Sequence, residues 1–257
     1  MDTDPARPLT GRGVLVTGAA SGIGRAIALA AARAGAGVAL TYHVNEGAAR
    51  QVEREIRASG GHAAVMQADI ANPDSIRALA ASAGEALGRI DAWINNAGAD
   101  ILTGDGARLS DIEKLDRLLA VDLRGTMLAS WQAATVLGAQ KEGGVIINMS
   151  WDHVLVGMAG RNPELFAAAK GGVLAFSKSL ARSVAPHVRV NVIAPGWIET
   201  SFGEAMDERR RHAVADSTPL KRWGTPDDVA GVAVFLASPA AAFLTGETIL
   251  VGGGVVM

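Results

Sequence analysis

The chain has 257 residues, of which 49% are hydrophobic and 31 are glycine. This length and composition are sufficient for a single α/β domain with a large aliphatic core. Lysine and arginine number 24 against 26 aspartates and glutamates, a net charge of −2 that argues against binding nucleic acid through a basic surface. Cysteine is absent, which excludes disulfides, thiolate metal sites and a cysteine nucleophile, and no metal site is predicted.

Residues 1–10 are expected to form a flexible amino-terminal segment ahead of a single domain that spans residues 11–257. The segment contains acidic residues and two prolines rather than the basic and apolar regions of a secretory signal. The uncharged stretch 229–246 is interpreted as a helix followed by a loop, not as a membrane span. We therefore expect a cytoplasmic protein with no membrane partner.

Strand and helix patterns alternate along the chain. Short apolar runs predict strands at 13–17, 38–42, 63–67, 90–95, 145–149, 188–193 and 248–251. Helical spacing, with glycine or proline near the ends, predicts helices at 23–34, 46–58, 73–88, 115–137, 163–185 and 226–237. This alternation predicts parallel crossovers and a Rossmann-like α/β fold, a doubly wound sheet of about seven strands with helices on both faces.

A glycine-rich turn joins the first strand to the first helix. It has the sequence Thr17-Gly18-Ala19-Ala20-Ser21-Gly22-Ile23-Gly24. Glycines at such a turn let the backbone approach a pyrophosphate, and the start of the helix supplies free N–H groups and the positive end of its dipole. The position of the turn after the first strand favours a dinucleotide site over a simple tight turn.

The spacing T-G-x-x-x-G-x-G resembles that of the short-chain dehydrogenase/reductase family, including its 3-oxoacyl-ACP reductases and glucose dehydrogenases. Further segments resemble family motifs in the same order, namely Asn95-Asn96-Ala97-Gly98, Val190 to Gly196 and Pro219 to Ala230. The resemblance covers residues 11–257. It implies a Rossmann-like fold that binds NAD(H) or NADP(H), usually in a homotetramer.

The resemblance also implies which residues contact the cofactor. The turn would hold the phosphates through Thr17, Gly18, Ser21, Gly22, Ile23 and Gly24. The adenosine would meet Asp69, Ile70, Asn96, Ala97 and Gly98, although Asp69 can instead be a cap of the helix that begins at Pro73. The nicotinamide side would meet Lys170, Pro195, Gly196, Ile198 and Thr200.

The end of the second strand bears on the choice between NAD and NADP. An acidic residue there would bind the ribose 2′-hydroxyl and repel a 2′-phosphate. The position falls on Tyr42, followed by His43, with Asn45 nearby. None of these is acidic and His43 can donate to a phosphate, so NADP(H) is favoured over NAD(H). If Tyr42 and His43 merely end a strand, both cofactors remain open.

The catalytic motif of the resembled family, Y-x-x-x-K, is altered here. Phe166 stands at the tyrosine position, and the one tyrosine in the chain is Tyr42. Lys170 follows four residues after Phe166 on the same helix face and is expected to contact the nicotinamide ribose. The family's serine falls on Trp151 or His153, depending on the motif from which it is counted, with Ser150 adjacent. Asp122 stands where the family has asparagine.

Asp152 and His153 are the first candidates for the missing proton donor, because a histidine oriented by a carboxylate exchanges protons near neutral pH. The alternative is that Asp152 caps a loop and His153 packs. Glu164 is another candidate, although Asn162-Pro163-Glu164 is typical of a helix start. Asp122 would support a water chain or bind a cationic substrate, unless it lies on a helix surface.

The favoured function is an NADP(H)-dependent reductase of a carbonyl or imine, with Asp152, His153 and Lys170 as catalytic residues. The alternatives are a cofactor-binding protein without redox activity and a lyase or isomerase on the same fold. The partner is a small-molecule substrate, and the loop with Trp197, Phe202 and Met206 is expected to give it an apolar pocket.

A homotetramer or homodimer is expected. The long helices 115–137 and 163–185 would form the contact, because their small residues permit close packing. These residues are Gly125, Ala129, Ala133, Ala134 and Ala167 to Ala169.

Overall fold

The computed structural model describes residues 6–204 and 206–257, without the side chains of residues 202 and 204. The strands in this part of the chain are β1 (Gly13–Val16), β2 (Gly37–Tyr42), β3 (His62–Gln67), β4 (Ala92–Asn95), β5 (Gly144–Met149), β6 (Val188–Pro195) and β7 (Thr248–Val251). Within the described residues they form one seven-stranded sheet in the order β3-β2-β1-β4-β5-β6-β7, and every pairing is parallel. The predicted Rossmann-like architecture is confirmed.

Helices cover both faces of the sheet. They are α1 (Gly22–Arg33), α2 (Glu46–Ala58), α3 (Pro73–Leu87), α4 (Gly104–Ala107), α5 (Asp111–Leu118), α6 (Thr126–Gly138), α7 (Arg161–Val184), α8 (Ser201–Glu204), α9 (Glu208–Ser217) and α10 (Pro226–Ala237). Alternate side chains of a strand point to opposite faces, so each face has its own core. Val14 and Val16 pack in the core that contains Ile27 of α1, whereas Leu15 packs in the core that contains Leu79 of α3.

Strand β1 is the point at which the order of the sheet reverses. Leu15 pairs with Ala39 of β2 on one side and with Trp93 of β4 on the other. In doubly wound sheets, ligands bind in the crevice outside the carboxyl ends of the strands at this switch point. The glycine-rich turn after β1 therefore lies where a ligand crevice is expected.

The helix predicted over 115–137 is interrupted. α5 ends at Leu118, the stretch Leu119–Gly125 is π-helical, and α6 begins at Thr126. Single π-helical turns inside helices occur frequently at functional sites. This one holds Asp122 with 1% of its surface exposed, so the surface alternative for this residue is wrong.

The amino-terminal segment and the start of α7 also differ from the sequence prediction. Residues 1–5 of the expected flexible segment lie outside the described residues, but Leu9 is fully buried and its N–H donates to the carbonyl of Ala34. The helix predicted from residue 163 begins two residues earlier, because α7 starts at Arg161 after Gly160, whose φ is 124°. Asn162 therefore lies inside the helix rather than ahead of it. Within residues 6–204 and 206–257, no helix combines the length and the apolar character needed to cross a bilayer.

Candidate functional site

A cleft of about 1150 Å³ opens at the carboxyl ends of the strands. Its walls come from the turn after β1 and from the segments that follow β2, β3 and β4. Of the predicted cofactor residues, those that line it are Gly18, Ser21, Gly22, Ile23, Gly24, Tyr42, His43, Asp69, Ile70, Asn96, Ala97, Gly98, Lys170 and Thr200. The structure thus brings together residues that are up to 182 positions apart, from Gly18 to Thr200.

The turn after β1 is shaped for close approach of a phosphate group. A Cβ atom on Gly18 would lie 2.8 Å from the Cα of Ala97, and one on Gly24 would lie 2.3 Å from the carbonyl oxygen of Gly18. Gly18 and Gly22 also have positive φ angles of 65° and 53°. The side chain of Ser21 makes no capping bond to α1, which leaves the first N–H groups of the helix for an anion. These features fit the pyrophosphate of a dinucleotide.

Thr17 lies behind the cleft wall. Its Oγ1 accepts the N–H groups of Asn96 and Ala97, each at 3.0 Å, and 1% of its surface is exposed. The Nδ2 of Asn96 in turn donates to the carbonyls of Thr17 and Gly18 at 3.1 Å. The prediction that Thr17 contacts the cofactor is therefore corrected, because this residue ties β1 to β4 and fixes the cleft instead.

The end of β2 has an acidic neighbour that the strand alone does not reveal. Glu46, the first residue of α2, lies close enough to Tyr42 to form a hydrogen bond with its hydroxyl. Burial and this carboxylate both raise the pKa of Tyr42. His43 and Asn45 line the cleft beside Tyr42.

Asp69 lines the cleft, and its Oδ1 accepts the N–H of Ala71 at 2.9 Å. The cap of α3 is Asn72, whose side chain accepts the N–H groups of Asp74 and Ser75. The alternative role of Asp69 as the cap of this helix is therefore not what the structure shows.

A second cavity of about 440 Å³ joins the cleft. Both are lined by Ile23, Asn96, Phe166, Lys170 and Thr200, so the cavities meet at these residues. The predicted nicotinamide-side residues Pro195, Gly196 and Ile198 line the second cavity. We call it the substrate cavity.

Aromatic and other apolar side chains dominate the substrate cavity. Trp197 lines it as predicted, but Met206 lies in a separate surface depression and the side chain of Phe202 is outside what the structure describes. Sequence reasoning did not assign Trp223 and Met158 to the wall, although Trp223 stands within the Pro219 to Ala230 motif. No periodic pattern marks either residue, because each comes from an irregular loop.

Lys170 and Asp122 form a buried ion pair where the two cavities meet. The Nζ of Lys170 lies 2.8 Å from Oδ2 of Asp122 and 3.4 Å from the carbonyl oxygen of Met149. The other oxygen of Asp122 accepts the N–H of Ala99 at 2.7 Å. The exposed fractions of the two side chains are 11% and 2%. The lysine is thus paired with a carboxylate where the resembled pattern has asparagine.

The Ser150 hydroxyl and the Trp151 ring, which lie near the altered catalytic positions, are both held by neighbouring groups. Ser150 lines the substrate cavity, but its hydroxyl donates to the carbonyl of Lys170 at 2.8 Å. The ring of Trp151 lies 6.3 Å from that of Phe166 at an angle of 61°. Phe166 therefore forms part of the wall of the substrate cavity, as expected of a side chain that cannot donate a proton.

Asp152 and His153 do not line either cavity. Asp152 is fully buried, and a Cβ atom placed on Gly196 or Gly252 would lie 2.5 or 2.3 Å from its Oδ2. The Nδ1 of His153 lies 2.5 Å from Oδ1 of Asp152. The imidazole ring stacks on the ring of Trp151, with 4.9 Å between the ring centroids. The pair lies behind the wall of the substrate cavity. This geometry does not support direct proton transfer from the pair to a substrate.

Glu164 lies apart from both cavities as well. Its side chain is 56% exposed and accepts a hydrogen bond from Arg161 at 2.8 Å. Neither carboxylate that the sequence proposed as a replacement donor, Asp152 or Glu164, reaches the junction of the cavities.

A family model described as "Enoyl-(Acyl carrier protein) reductase" matches residues 18–256. An L-rhamnose 1-dehydrogenase (NAD(P)(+)) from Sphingomonas sp. is 36% identical over 249 residues, 96% of each chain. A 3-oxoacyl-[acyl-carrier-protein] reductase from Synechocystis sp. is 38% identical over 253 residues, 97% of this chain and 98% of the other. The crystal structure of a short chain dehydrogenase from Burkholderia cenocepacia in complex with NADP matches with a TM-score of 0.86 and 33% identity, over 96% and 99% of the two chains.

Proposed function

Since the chain belongs to the short-chain dehydrogenase/reductase family, whose members similar to it are oxidoreductases, we propose that it is an NAD(P)(H)-dependent reductase of a carbonyl or imine. One observation carries the proposal. The dinucleotide-shaped cleft and the apolar substrate cavity meet at Phe166 and Lys170, so a substrate in one reaches a cofactor in the other. When bound there, the nicotinamide supplies a hydride.

Lys170 and the turn after β1 have binding roles in this proposal. The N–H groups at the start of α1 would hold the pyrophosphate, and the Lys170 ammonium would donate to the nicotinamide ribose while Asp122 compensates its charge. Tryptophan and aliphatic side chains exclude water from the substrate cavity, which protects the hydride from wasteful side reactions.

NADP(H) is the proposed preference. The cleft beside Tyr42 is lined by His43 and Asn45, and the relative from Burkholderia was crystallised with NADP. Glu46 opposes this preference, because its carboxylate near Tyr42 would weaken the binding of a 2′-phosphate. Arg50 donates to Glu46 at 3.2 Å and offsets part of this charge.

A cofactor-binding protein without redox activity is the second candidate. It is favoured by one observation, that Phe166 replaces the hydroxyl expected at the junction and that neither Asp152 nor Glu164 substitutes for it there. The two candidates share cofactor binding and differ in turnover.

Calorimetry with NADPH and loss of reduced-nicotinamide absorbance with a carbonyl and imine panel test the proposal together. Gly24→Ala is expected to abolish NADPH binding, because the added methyl group would collide with the carbonyl of Gly18. Gly231→Ala in α10 is the matched control, since a Cβ there meets no atom within 4 Å. Binding without turnover of any member of the panel would favour the second candidate.

A further inference from the structure

Resting on the proposed reductase function, we infer that the substrate is an iminium ion, a C=N group that already carries its positive charge when it enters the cavity. Three independent features of the described residues support this. They are the aromatic wall, the added carboxylate at the junction and the lack of a free proton donor.

Four aromatic side chains surround the substrate cavity, namely Trp151, Phe166, Trp197 and Trp223. Trp151 and Phe166 meet at 61°, and Trp197 and Trp223 lie 5.5 Å apart at 62°. Because the rings of each pair are steeply inclined, a ligand meets aromatic surface in more than one direction. Aromatic faces attract cations through the ring quadrupole, and tryptophan does so most strongly.

The charge at the junction is arranged to accept a cation. Lys170 is the one charged residue among the described residues that line the substrate cavity, and alone it would repel a positive substrate. Asp122 lies 2.8 Å from its ammonium and makes the pair neutral overall. A neutral asparagine at this position would leave the lysine charge uncompensated. The carboxylate therefore removes the main electrostatic obstacle to a cationic substrate.

The polar groups of the substrate cavity are poor proton donors. The Ser150 hydroxyl hydrogen is held by the carbonyl of Lys170. The Lys170 ammonium is engaged by the buried Asp122 carboxylate at 2.8 Å and by the carbonyl oxygen of Met149 at 3.4 Å. Asn96 and Asn162 have amides, which do not release protons near neutral pH. Thr200 has an ordinary hydroxyl, and a hydroxyl of this kind is not acidic enough to act as a general acid unaided.

An iminium substrate makes a proton donor unnecessary. The substrate carbon gains a C–H bond by accepting hydride, the C=N π electron pair moves onto nitrogen, and a neutral amine results. NAD(P)H is oxidised to NAD(P)⁺, so the positive charge passes from substrate to cofactor and no proton is consumed. A ketone given the same hydride becomes an alkoxide and requires a proton.

The turnover experiment compares two bicyclic probes of similar size with NADPH in excess. One is the permanent cation 2-methyl-3,4-dihydroisoquinolinium, and the other is the neutral ketone 1-tetralone. The cation should be reduced, and 1-tetralone should react at least about a hundredfold more slowly, the lower range for a missing general acid. Phe166→Tyr, which adds a phenol at the junction of the cavities, should raise the rate with 1-tetralone.

A binding experiment does not depend on turnover. Tryptophan fluorescence should show that the unreactive cation 2,2-dimethyl-1,2,3,4-tetrahydroisoquinolinium binds at least about tenfold more tightly than 1-tetralone, the effect of a desolvated cation–π site. Asp122→Asn should remove this difference, because Lys170 then repels the cation. Asp116→Asn is the matched control on α5, since Asp116 is exposed and lines neither cavity.

The outcomes separate this inference from the function on which it rests. Faster reduction of 1-tetralone than of the iminium overturns the inference and leaves the reductase function standing. Reduction of neither probe by protein that binds NADPH overturns the reductase function and, with it, the iminium assignment. Equal binding of 1-tetralone and the unreactive cation, unaffected by Asp122→Asn, overturns the cation site by itself.

Discussion

The ammonium nitrogen of Lys170 lies 2.8 Å from a carboxylate oxygen of Asp122, and both side chains are almost fully buried. Two charges held in such a place depend on each other, because each would be costly to bury alone. Among the ion pairs of the described residues, this is the only one that joins α7 to the π-helical stretch. Removal of either partner alone is therefore expected to destabilise the fold at the junction of the cavities.

Lys170→Met is expected to destabilise the protein by about 3–5 kcal/mol, since it leaves the buried Asp122 carboxylate without its partner. The double variant Asp122→Asn/Lys170→Met should recover much of this loss. Urea unfolding of the wild type, Lys170→Met, Asp122→Asn and the double variant measures the coupling. Arg33→Met is the control, because its ion pair with Asp227 is exposed and worth about 0–1 kcal/mol. A Lys170→Met protein as stable as wild type would contradict the prediction.

NADPH is expected to bind more tightly than NADH. His43 and Asn45 line the end of the cleft and do not repel a 2′-phosphate, whereas Glu46 opposes it. Glu46→Gln should therefore increase the affinity for NADPH and leave that for NADH nearly unchanged. Glu85→Gln on the exposed side of α3 is the control for loss of a surface charge. Calorimetry that finds equal affinities in the wild type, or tighter NADH, would exclude the preference.

The fold was largely predictable because short apolar runs and glycine-bounded helices are local signals. The bounds predicted for α2, α10 and β7 match the structure without a shift. The π-helical stretch around Asp122 was missed, since its sequence is compatible with an ordinary helix. Asp122 there bonds to the N–H of Ala99 and pairs with Lys170, both distant in sequence. A pattern read along the chain does not contain these contacts.

The residues that line the cleft were predictable from the sequence, whereas the orientation of the candidate catalytic side chains was not. Gly18, Gly24 and Asn96 sit in motifs whose spacing fixes their place in the fold. The direction of the Asp152 side chain depends on packing against Gly196 and Gly252, and that of His153 on Trp151 and Trp197. Adjacency in the sequence does not reveal these contacts. A loop position can therefore be predicted correctly while the side chain faces away from the cavity.

We propose a dimer or tetramer that forms through the exposed sides of α6 and α7. The small residues Ala129 and Ala133, which suggested this contact, are already buried in the core of the same chain. Trp131 is 50% exposed, however, and its ring lies 5.9 Å from that of Phe176. Trp131→Asp should shift light scattering to a smaller species, whereas Phe243→Asp on another surface should not. A monomeric wild type at micromolar concentration would refute the proposal.

Asp228 is expected to stabilise the start of α10 in a pH-dependent way. Hydrogen bonds from Arg222 and from the N–H of Thr225 hold the pKa of Asp228 well below its ordinary value. Its contribution is therefore complete above the unfolded pKa of about 3.9 and is lost as the pH falls below it. Asp228→Asn should lower Tm at neutral pH by about 2–4 °C, the shift for roughly 1 kcal/mol, and by less near pH 3.

The control for this variant is Asp227→Asn, which changes a neighbouring carboxylate that is 75% exposed. It should leave Tm nearly unchanged at both pH values, because exposed ion pairs contribute little. A Tm difference for Asp228→Asn that stays constant down to pH 3 would show that the carboxylate charge is not its source.

Variants of His153 can distinguish two roles of the Asp152–His153 pair. The sequence predicted a proton donor, whereas the structure favours a pair that positions the wall of the substrate cavity. His153→Asn keeps an N–H beside Asp152 but exchanges no proton near neutral pH, whereas His153→Ala removes the bond. For a donor, both variants lose about 10²–10⁴-fold in kcat. Since the pair lies behind the wall formed by Trp151 and Trp197, we expect His153→Asn to keep more than about a tenth of wild-type kcat. His153→Ala should instead raise KM by loosening that wall. Equal loss of kcat in both variants, with KM unchanged, would restore the donor role.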